Sequence, residues 1–191
     1  MSHLFAYLFR MKFIRRWGLM HTTYPENVQE HSLRVAMIAH LLALVRNRLF
    51  DGDVNADRVA ALALYHDASE ALIGDLPAPV KYFNPEIRDA YHAIEDTAII
   101  KLREMVPPAL RPDYDPLLGT AGDAECRELV KAADRLCAYI KCLEELRAGN
   151  REFRLAADTL RGQVMAMQLP EVEYFVDTFV PSFDLTLDEL G

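Results

Sequence analysis

Four side chains in this sequence have the types and the spacing to hold a metal ion: His31, His66, Asp67 and Asp134. Imidazole nitrogens and carboxylate oxygens together form a donor set that suits first-row transition metals. Asp134 shares a helical stripe with Val130 and Cys137 and sits beside Ala133 and Leu136, so a carboxylate stands where apolar residues belong. Burying it is costly unless it is paired or bound to a cation. His31 falls near the start of a long helix, whereas His40, nine residues on, is half a turn out of phase and cannot share its face. Glu70 follows His66 at i+4 and is expected to face the same pocket, where a carboxylate that is not a ligand can orient or deprotonate a water. A single His–Asp dipeptide arises readily by chance, as a core histidine next to a capping aspartate. The set of four with Glu70 is not explained that way.

The elements that must position these groups read as helices throughout, and an all-α, single-domain helical bundle over residues 1–191 is expected. Ser2 is placed to cap a first amphipathic helix with Phe5, Leu8, Phe9 and Phe13 on its inner face, ending near Gly18. Asn27 opens a long helix to about Asn47, with Val28, Val35, Ile38, Leu42 and Val45 inward. Asn55 caps a third, whose run Val59 to Tyr65 leads into His66-Asp67 and on, less regularly, to Gly74. Pro77, Pro79 and Pro85 make the stretch from Asp75 a shaped loop rather than a continuous helix. Asn84-Pro85 starts a helix through Met105. Pro107-Pro108 ends it, and a loop with Pro112, Pro116, Gly119 and Gly122 follows. A helix from about Asp123 closes at Gly149, Asn150 caps another to about Gln168, Pro170 starts a last one through Val180, and the tail beyond Pro181 is expected to be extended.

Composition narrows the function. The 191 residues include 21 basic and 29 acidic ones, a formal net charge of -8, which disfavours grip on a nucleic-acid polymer. Hydrophobic residues at 51% and charged residues at 26% fit a globular domain and not a disordered one. Cys126, Cys137 and Cys142 form no C-x-x-C pair, so neither a disulfide framework nor a thiolate zinc site is indicated. The apolar run Leu4 to Phe9 is followed, not preceded, by basic residues, against an export signal. Val35 to Val45 is too short to span a membrane, which takes roughly 18 residues. A cytoplasmic protein without membrane association is expected.

The order His31, then His66-Asp67, then Asp134, each expected on its own helix, is the H...HD...D pattern of the HD-domain metal-dependent phosphohydrolases. The segments Arg16-Trp17, Glu26 to Ser32, Tyr65 to Glu70, Gly74 to Pro77, Pro79 to Phe83, Lys141 to Glu145 and Phe179 to Phe183 resemble the bacterial 5'-deoxynucleotidases of that superfamily, over nearly the whole chain. The resemblance implies a homodimeric all-α enzyme that hydrolyses 2'-deoxyribonucleoside 5'-monophosphates to deoxynucleoside and phosphate. It implies one divalent cation per subunit, cobalt or manganese by family habit, with zinc, nickel or ferrous iron also compatible with the donors. His31, His66, Asp67 and Asp134 are then the ligands, and Glu70 assists the attacking water. Asp75 protonates the leaving 5'-oxygen or contacts the sugar. Arg16 orients the phosphate, and Trp17 packs on the sugar and helps reject a ribose 2'-hydroxyl. His31, Asp67, Asp75, Leu76, Pro77, Ala78 and Asp134 also carry over as substrate contacts. Read without the resemblance, Arg16 is a basic residue near a helix C-terminus and the only Trp is a core residue. Where the family commonly has threonine after the Asp-Leu-Pro run, this chain has Ala78, which lacks the hydroxyl for a side-chain contact and leaves only the backbone. Lys81 and Tyr82 are loop residues as suited to solvent as to phosphate or base, and His3, His21 and His92 are read as structural.

Other HD chemistries fit less well. Ala71 stands where a guanosine polyphosphate hydrolase shows a second acid after the glutamate, and a triphosphate would call for more basic residues than Arg16 and Lys81. A two-metal phosphodiesterase needs further histidines at ligand spacing. A non-catalytic nucleotide-sensing helical module would be expected to have lost ligands or Glu70, and all are present.

Overall fold

The structure is a computed structural model that describes residues 1–119 and 123–191. Among the described residues it is all-α, with ten α-helices: α1 (Leu4–Leu8), α2 (Val28–Leu49), α3 (Ala56–Leu64), α4 (Glu70–Ile73), α5 (Ala78–Lys81), α6 (Pro85–Met105), α7 (Arg111–Leu118), α8 (Ala124–Arg147), α9 (Arg154–Met165) and α10 (Pro170–Thr178). Two compact units divide it. The first holds Met1–His21, Pro25–Leu33 and the described part of Leu64–Gly122; the second holds Thr22–Tyr24, Arg34–Ala63 and Asp123–Gly191.

In the first unit, the N-terminal segment departs from the expected helix. α1 passes into a 3-10 turn over Phe9–Phe13, and His3 rather than Ser2 takes the cap position. Ser2 Oγ still accepts from the Leu4 amide at 3.4 Å, and it donates to the Met105 carbonyl at 2.6 Å. The buried stripe is Leu4, Leu8 and Met11, while Phe5, Phe9 and Phe13 are 51%, 65% and 68% exposed. Both stripes have helical spacing, and packing chooses between them. Leu4, Leu8 and Met11 cluster with Val28, Ala68, Ala71, Leu102, Val106 and Leu118. Phe5 and Phe9 shelter one another edge to face, with centroids 6.1 Å apart.

α6 begins as expected, with Asn84 Oδ1 accepting from the Ile87 amide at 2.7 Å and Pro85 at the first helical position. The loop expected after it is largely helical: a 3-10 turn over Pro108–Leu110 runs into α7. Pro112 lies in the first turn of α7, where its missing N–H costs no helical bond. Pro116 lies in the last turn, and Gly119 ends the helix with its amide on the Asp115 carbonyl at 2.9 Å. Gly122 lies outside the described residues.

The second unit contains most of α2, with Val35, Leu42 and Val45 buried and Ile38 half-buried, and the central helix α8. α8 buries residues over most of its circumference, from Cys126 and Leu129 to Cys142 and Glu145. Its ends are built as expected. Asp123 accepts from the Cys126 amide at 3.3 Å, and Gly149, at φ 86°, closes the helix with Gly149 N–H on Leu146 O and Asn150 N–H on Glu145 O. That is the paired 6→1 and 5→2 pattern that satisfies the last carbonyls. The tail is not extended but turns twice as 3-10 helix, over Val180–Asp184 and Leu187–Glu189. No described helix is long and apolar enough to cross a membrane.

Candidate metal centre and nucleotide site

α2 starts one turn before His31 with a reciprocal cap. Asn27 Oδ1 accepts from the Glu30 amide at 2.9 Å, and Glu30 Oε2 accepts from the Asn27 amide at 3.2 Å. His31 is fully buried. The second segment departs from the expectation that His66-Asp67 lies on a helix. α3 stops at Leu64, and residues 65–69 form consecutive tight turns with i→i−3 bonds, Ala68 to Tyr65 at 3.0 Å and Glu70 to Asp67 at 3.0 Å. Three residues per turn makes i and i+3 eclipse. Glu70 is therefore in register with Asp67 rather than with His66.

Three basic groups converge on one oxygen. Asp67 Oδ2 lies 3.1 Å from His66 Nε2, 3.7 Å from His31 Nε2 and 3.3 Å from Arg16 Nη1. The two imidazole rings are 5.4 Å apart, centroid to centroid. Burial opposes ionisation of Asp67, but His66, His31 and Arg16 outweigh it and hold the carboxyl well below the usual range. Two imidazole nitrogens facing one ionised oxygen fit a borderline divalent cation, so His31, His66 and Asp67 have the chemistry to hold one.

Glu70 is 8% exposed, and its Oε2 is buried without a hydrogen-bond partner among the described residues. Burial, then the Asp67 and Asp75 carboxylates, push it up to about 9, against the pull of Arg16 and Lys81. Burial also raises Asp75, with Arg16 opposing. Asp75 follows Gly74, whose φ of 77° turns the chain out of α4. Leu76 and Pro77 are half-buried in this loop, and Ala78 is exposed as the first residue of α5, a short helix within the stretch read as loop. The Leu76 backbone hydrogen-bonds the buried Tyr91 phenol. Lys81 pairs with Glu95 at 2.9 Å and lies 4.5 Å above the Tyr91 ring, while Tyr82 is exposed.

Arg16 and Trp17 do not lie on a helix end. An isolated antiparallel bridge joins Arg15 to Asn27, with Arg16 N–H on Glu26 O and Val28 N–H on Ile14 O, both at 3.0 Å. Trp17 is half-buried with φ 61°. No residue pattern in the sequence marks Glu26 or Tyr91 for a role. Glu26 meets Arg16 only through the bridge between segments ten residues apart, and no helical period signals such a pairing. Asp134 belongs to the second unit, half-buried on α8 between buried Ala133 and Val130.

Solved structures that share this fold include HD-domain phosphohydrolases. One from Listeria innocua superposes with a TM-score of 0.81 at 24% identity, covering 94% of this chain and 87% of that one. A cyanophage S-2L HD phosphohydrolase, bound to dA and one catalytic Zn2+ ion, gives 0.61 at 21% identity over 93% and 96%. At the level of sequence, the 5'-deoxynucleotidase YfbR-like family model matches residues 3–183. The 5'-deoxynucleotidase YfbR of Shigella boydii is 56% identical over all 191 residues and 96% of its own length, and a 5'-deoxynucleotidase of Vibrio parahaemolyticus is 54% identical over 98% of its length. The chain belongs to the YfbR-like 5'-deoxynucleotidase family.

Proposed function

We propose that this protein is a metal-dependent phosphoric monoester hydrolase that converts 2'-deoxyribonucleoside 5'-monophosphates to deoxynucleoside and phosphate. The observation that carries the reading is the convergence of His31, His66 and Arg16 on Asp67, with the Glu70 carboxyl in register behind it, in a chain 56% identical to curated 5'-deoxynucleotidases. His31, His66, Asp67 and Asp134 would hold one divalent cation, cobalt or manganese. Such a cation supplies Lewis acidity toward the phosphoryl oxygen and toward water.

The protein's own groups then have distinct work. Arg16 pairs with the phosphate oxygens, which fixes the phosphorus for in-line attack. Glu70 takes the proton of the attacking water. It must be ionised to do so: burial and the neighbouring carboxylates bias it toward the neutral form, and added positive charge in the cluster would favour the ionised one. Asp75, biased toward the protonated form, gives a proton to the leaving 5'-oxygen. Trp17 packs on the sugar and leaves no room for a 2'-hydroxyl, and the backbone of Leu76, Pro77 and Ala78 lines the same end. The 191 residues act as a single domain, as a homodimer in the cytoplasm. Phosphate release from deoxy- and ribonucleoside monophosphates, measured after chelation and metal add-back, tests the activity. No metal-restored release from any deoxynucleotide would refute it. Sedimentation at micromolar concentration tests the dimer.

A further inference from the structure

We propose that Glu26 is a positioning residue that ties Arg16 and Trp17 into one unit, so that phosphate orientation and rejection of the ribose 2'-hydroxyl are coupled through a shared carboxylate. The proposal deepens the deoxynucleotidase reading and rests on it. Glu26 is 5% exposed. Its Oε2 accepts from Arg16 Nε at 3.3 Å and from Trp17 Nε1 at 3.3 Å. One oxygen therefore fixes both the roll of the guanidinium plane and the direction of the indole edge. Arg16 is held at its other side by Asp67, so the carboxylate at the metal centre, the guanidinium, Glu26 and the indole form a continuous chain of polar contacts.

The backbone raises the demand for such a lock. Trp17 stands at φ 61°, a left-handed conformation that a bulky side chain adopts rarely and that needs its surroundings to enforce it. Gly18 follows, where an added Cβ would meet Pro77 Cγ at 4.0 Å, so this turn lies against the loop that carries Asp75. Main-chain bonds across the 14–16 and 26–28 bridge already hold the backbone. The Glu26 side chain acts beyond that bridge, on the two side chains themselves. Arg and Trp are rotamer-rich or large, and fixing them before substrate arrives removes an ordering cost from binding.

Two substitutions of nearly equal volume separate positioning from packing. Glu26→Gln keeps an acceptor oxygen, and Glu26→Met fills the space without one. Because the chain has a single Trp, its fluorescence reports Trp17 alone, and acrylamide quenching of the full-length protein needs no activity. Glu26→Met is expected to raise the quenching constant about twofold, and Glu26→Gln to leave it near the wild-type value. In metal-supplemented assays, Glu26→Met should lower kcat/KM on a deoxyribonucleoside monophosphate by about tenfold, the loss of a charge-assisted bond. It should also narrow the deoxy-to-ribo discrimination ratio, which Glu26→Gln preserves. A merely structural role would lower both substrates together and leave the ratio unchanged. A methionine variant that matches the glutamine variant in quenching or in discrimination overturns the proposal. A wild-type protein inactive on every deoxynucleotide instead overturns the functional reading, and the quenching comparison still decides whether Glu26 orients Trp17.

Discussion

Glu145 and Lys141 sit one turn apart on α8, 0% and 1% exposed. Glu145 is enclosed by donors: Oε2 accepts from the Thr23 amide at 2.8 Å and Asn150 Nδ2 at 2.9 Å, and Oε1 accepts from the Tyr24 amide at 3.0 Å and from Lys141 Nζ. Lys141 Nζ also donates to the Tyr24 carbonyl. Burial alone would raise the carboxyl, but Lys141, Tyr24, Thr23 and Asn150 bring it down from 4.5 to about 2. At about 1.4 kcal/mol for each pKa unit, that difference is worth roughly 3 kcal/mol of folding stability. The sign follows from the direction: a depressed folded pKa gives stability that is present above the unfolded pKa and lost as pH falls from 4.5 toward 2. About 2 kcal/mol should be gone by pH 3.

Urea unfolding of the wild type and Glu145→Gln at pH 7 and pH 3 measures this. The variant is less stable at both, because Lys141 is left buried without its carboxylate, a penalty of roughly 3 to 5 kcal/mol that does not vary over this range. The readout is therefore the change in the difference between the two proteins, expected to shrink by about 2 kcal/mol on acidification. A difference that stays constant between pH 7 and pH 3 would refute the reasoning, since it would mean that Glu145 titrates alike in folded and unfolded chains. Thr23 and Tyr24 lead directly into Pro25 and Glu26, so the residue that orients Arg16 and Trp17 follows a segment pinned at two amides.

Other substitutions bear on the site and the fold. Glu70→Gln should keep its bound metal by elemental analysis yet lose roughly 10²- to 10⁴-fold in kcat, whereas Asp134→Ala should lose the metal as well; equal loss in both would make Glu70 a ligand. Trp17→Ala should narrow the deoxy-to-ribo ratio of kcat/KM, and an unchanged ratio would remove the indole from discrimination. Leu8→Ala should cost roughly 2 to 4 kcal/mol in urea unfolding and Phe9→Ser less than about 0.5, the reverse of what the size of the two side chains suggests.

Where the chain's periodicity is locally self-consistent, the sequence is readable. The caps at Asn27, Asn55, Asn84 and Asp123 each accept the amide that their position predicts, because a cap is a short-range bond between residues three apart. The Phe stripe of the first helix failed for the opposite reason. Phe5-Phe9-Phe13 and Leu4-Leu8-Met11 are equally periodic, and only distant partners such as Leu102 and Leu118 select the second. Residues 111–118 failed because two prolines argue for a loop unless one knows that they occupy the first and last turns. At the site, the residue types were legible but the geometry was not. The i+4 relation of Glu70 to His66 is replaced by an i+3 relation to Asp67, since the chain tightens to three residues per turn between α3 and α4. Glu26 had no local signal at all.

A net charge of -8 and a dianionic substrate are compatible because the cluster limits its own negative charge with protons rather than with bases. Four carboxyls, Glu26, Asp67, Glu70 and Asp75, stand in the first unit with Arg16 and Lys81, and Lys81 is already matched by Glu95. Burial drives Glu70 and Asp75 toward the neutral form, while the imidazoles and Arg16 keep Asp67 ionised. Before any cation binds, the charges near Arg16 come close to cancelling. A divalent cation held beside Asp67, as proposed, would tip the local sign to positive and favour ionised Glu70 by the same field. Counting Glu26, Asp67 and Arg16 as charged, with Lys81 and Glu95 cancelling, a dication would change the local sum from about -1 to about +1 while Glu70 and Asp75 stay neutral. That is enough to hold one phosphate, and too little and too local to hold the backbone of a polymer.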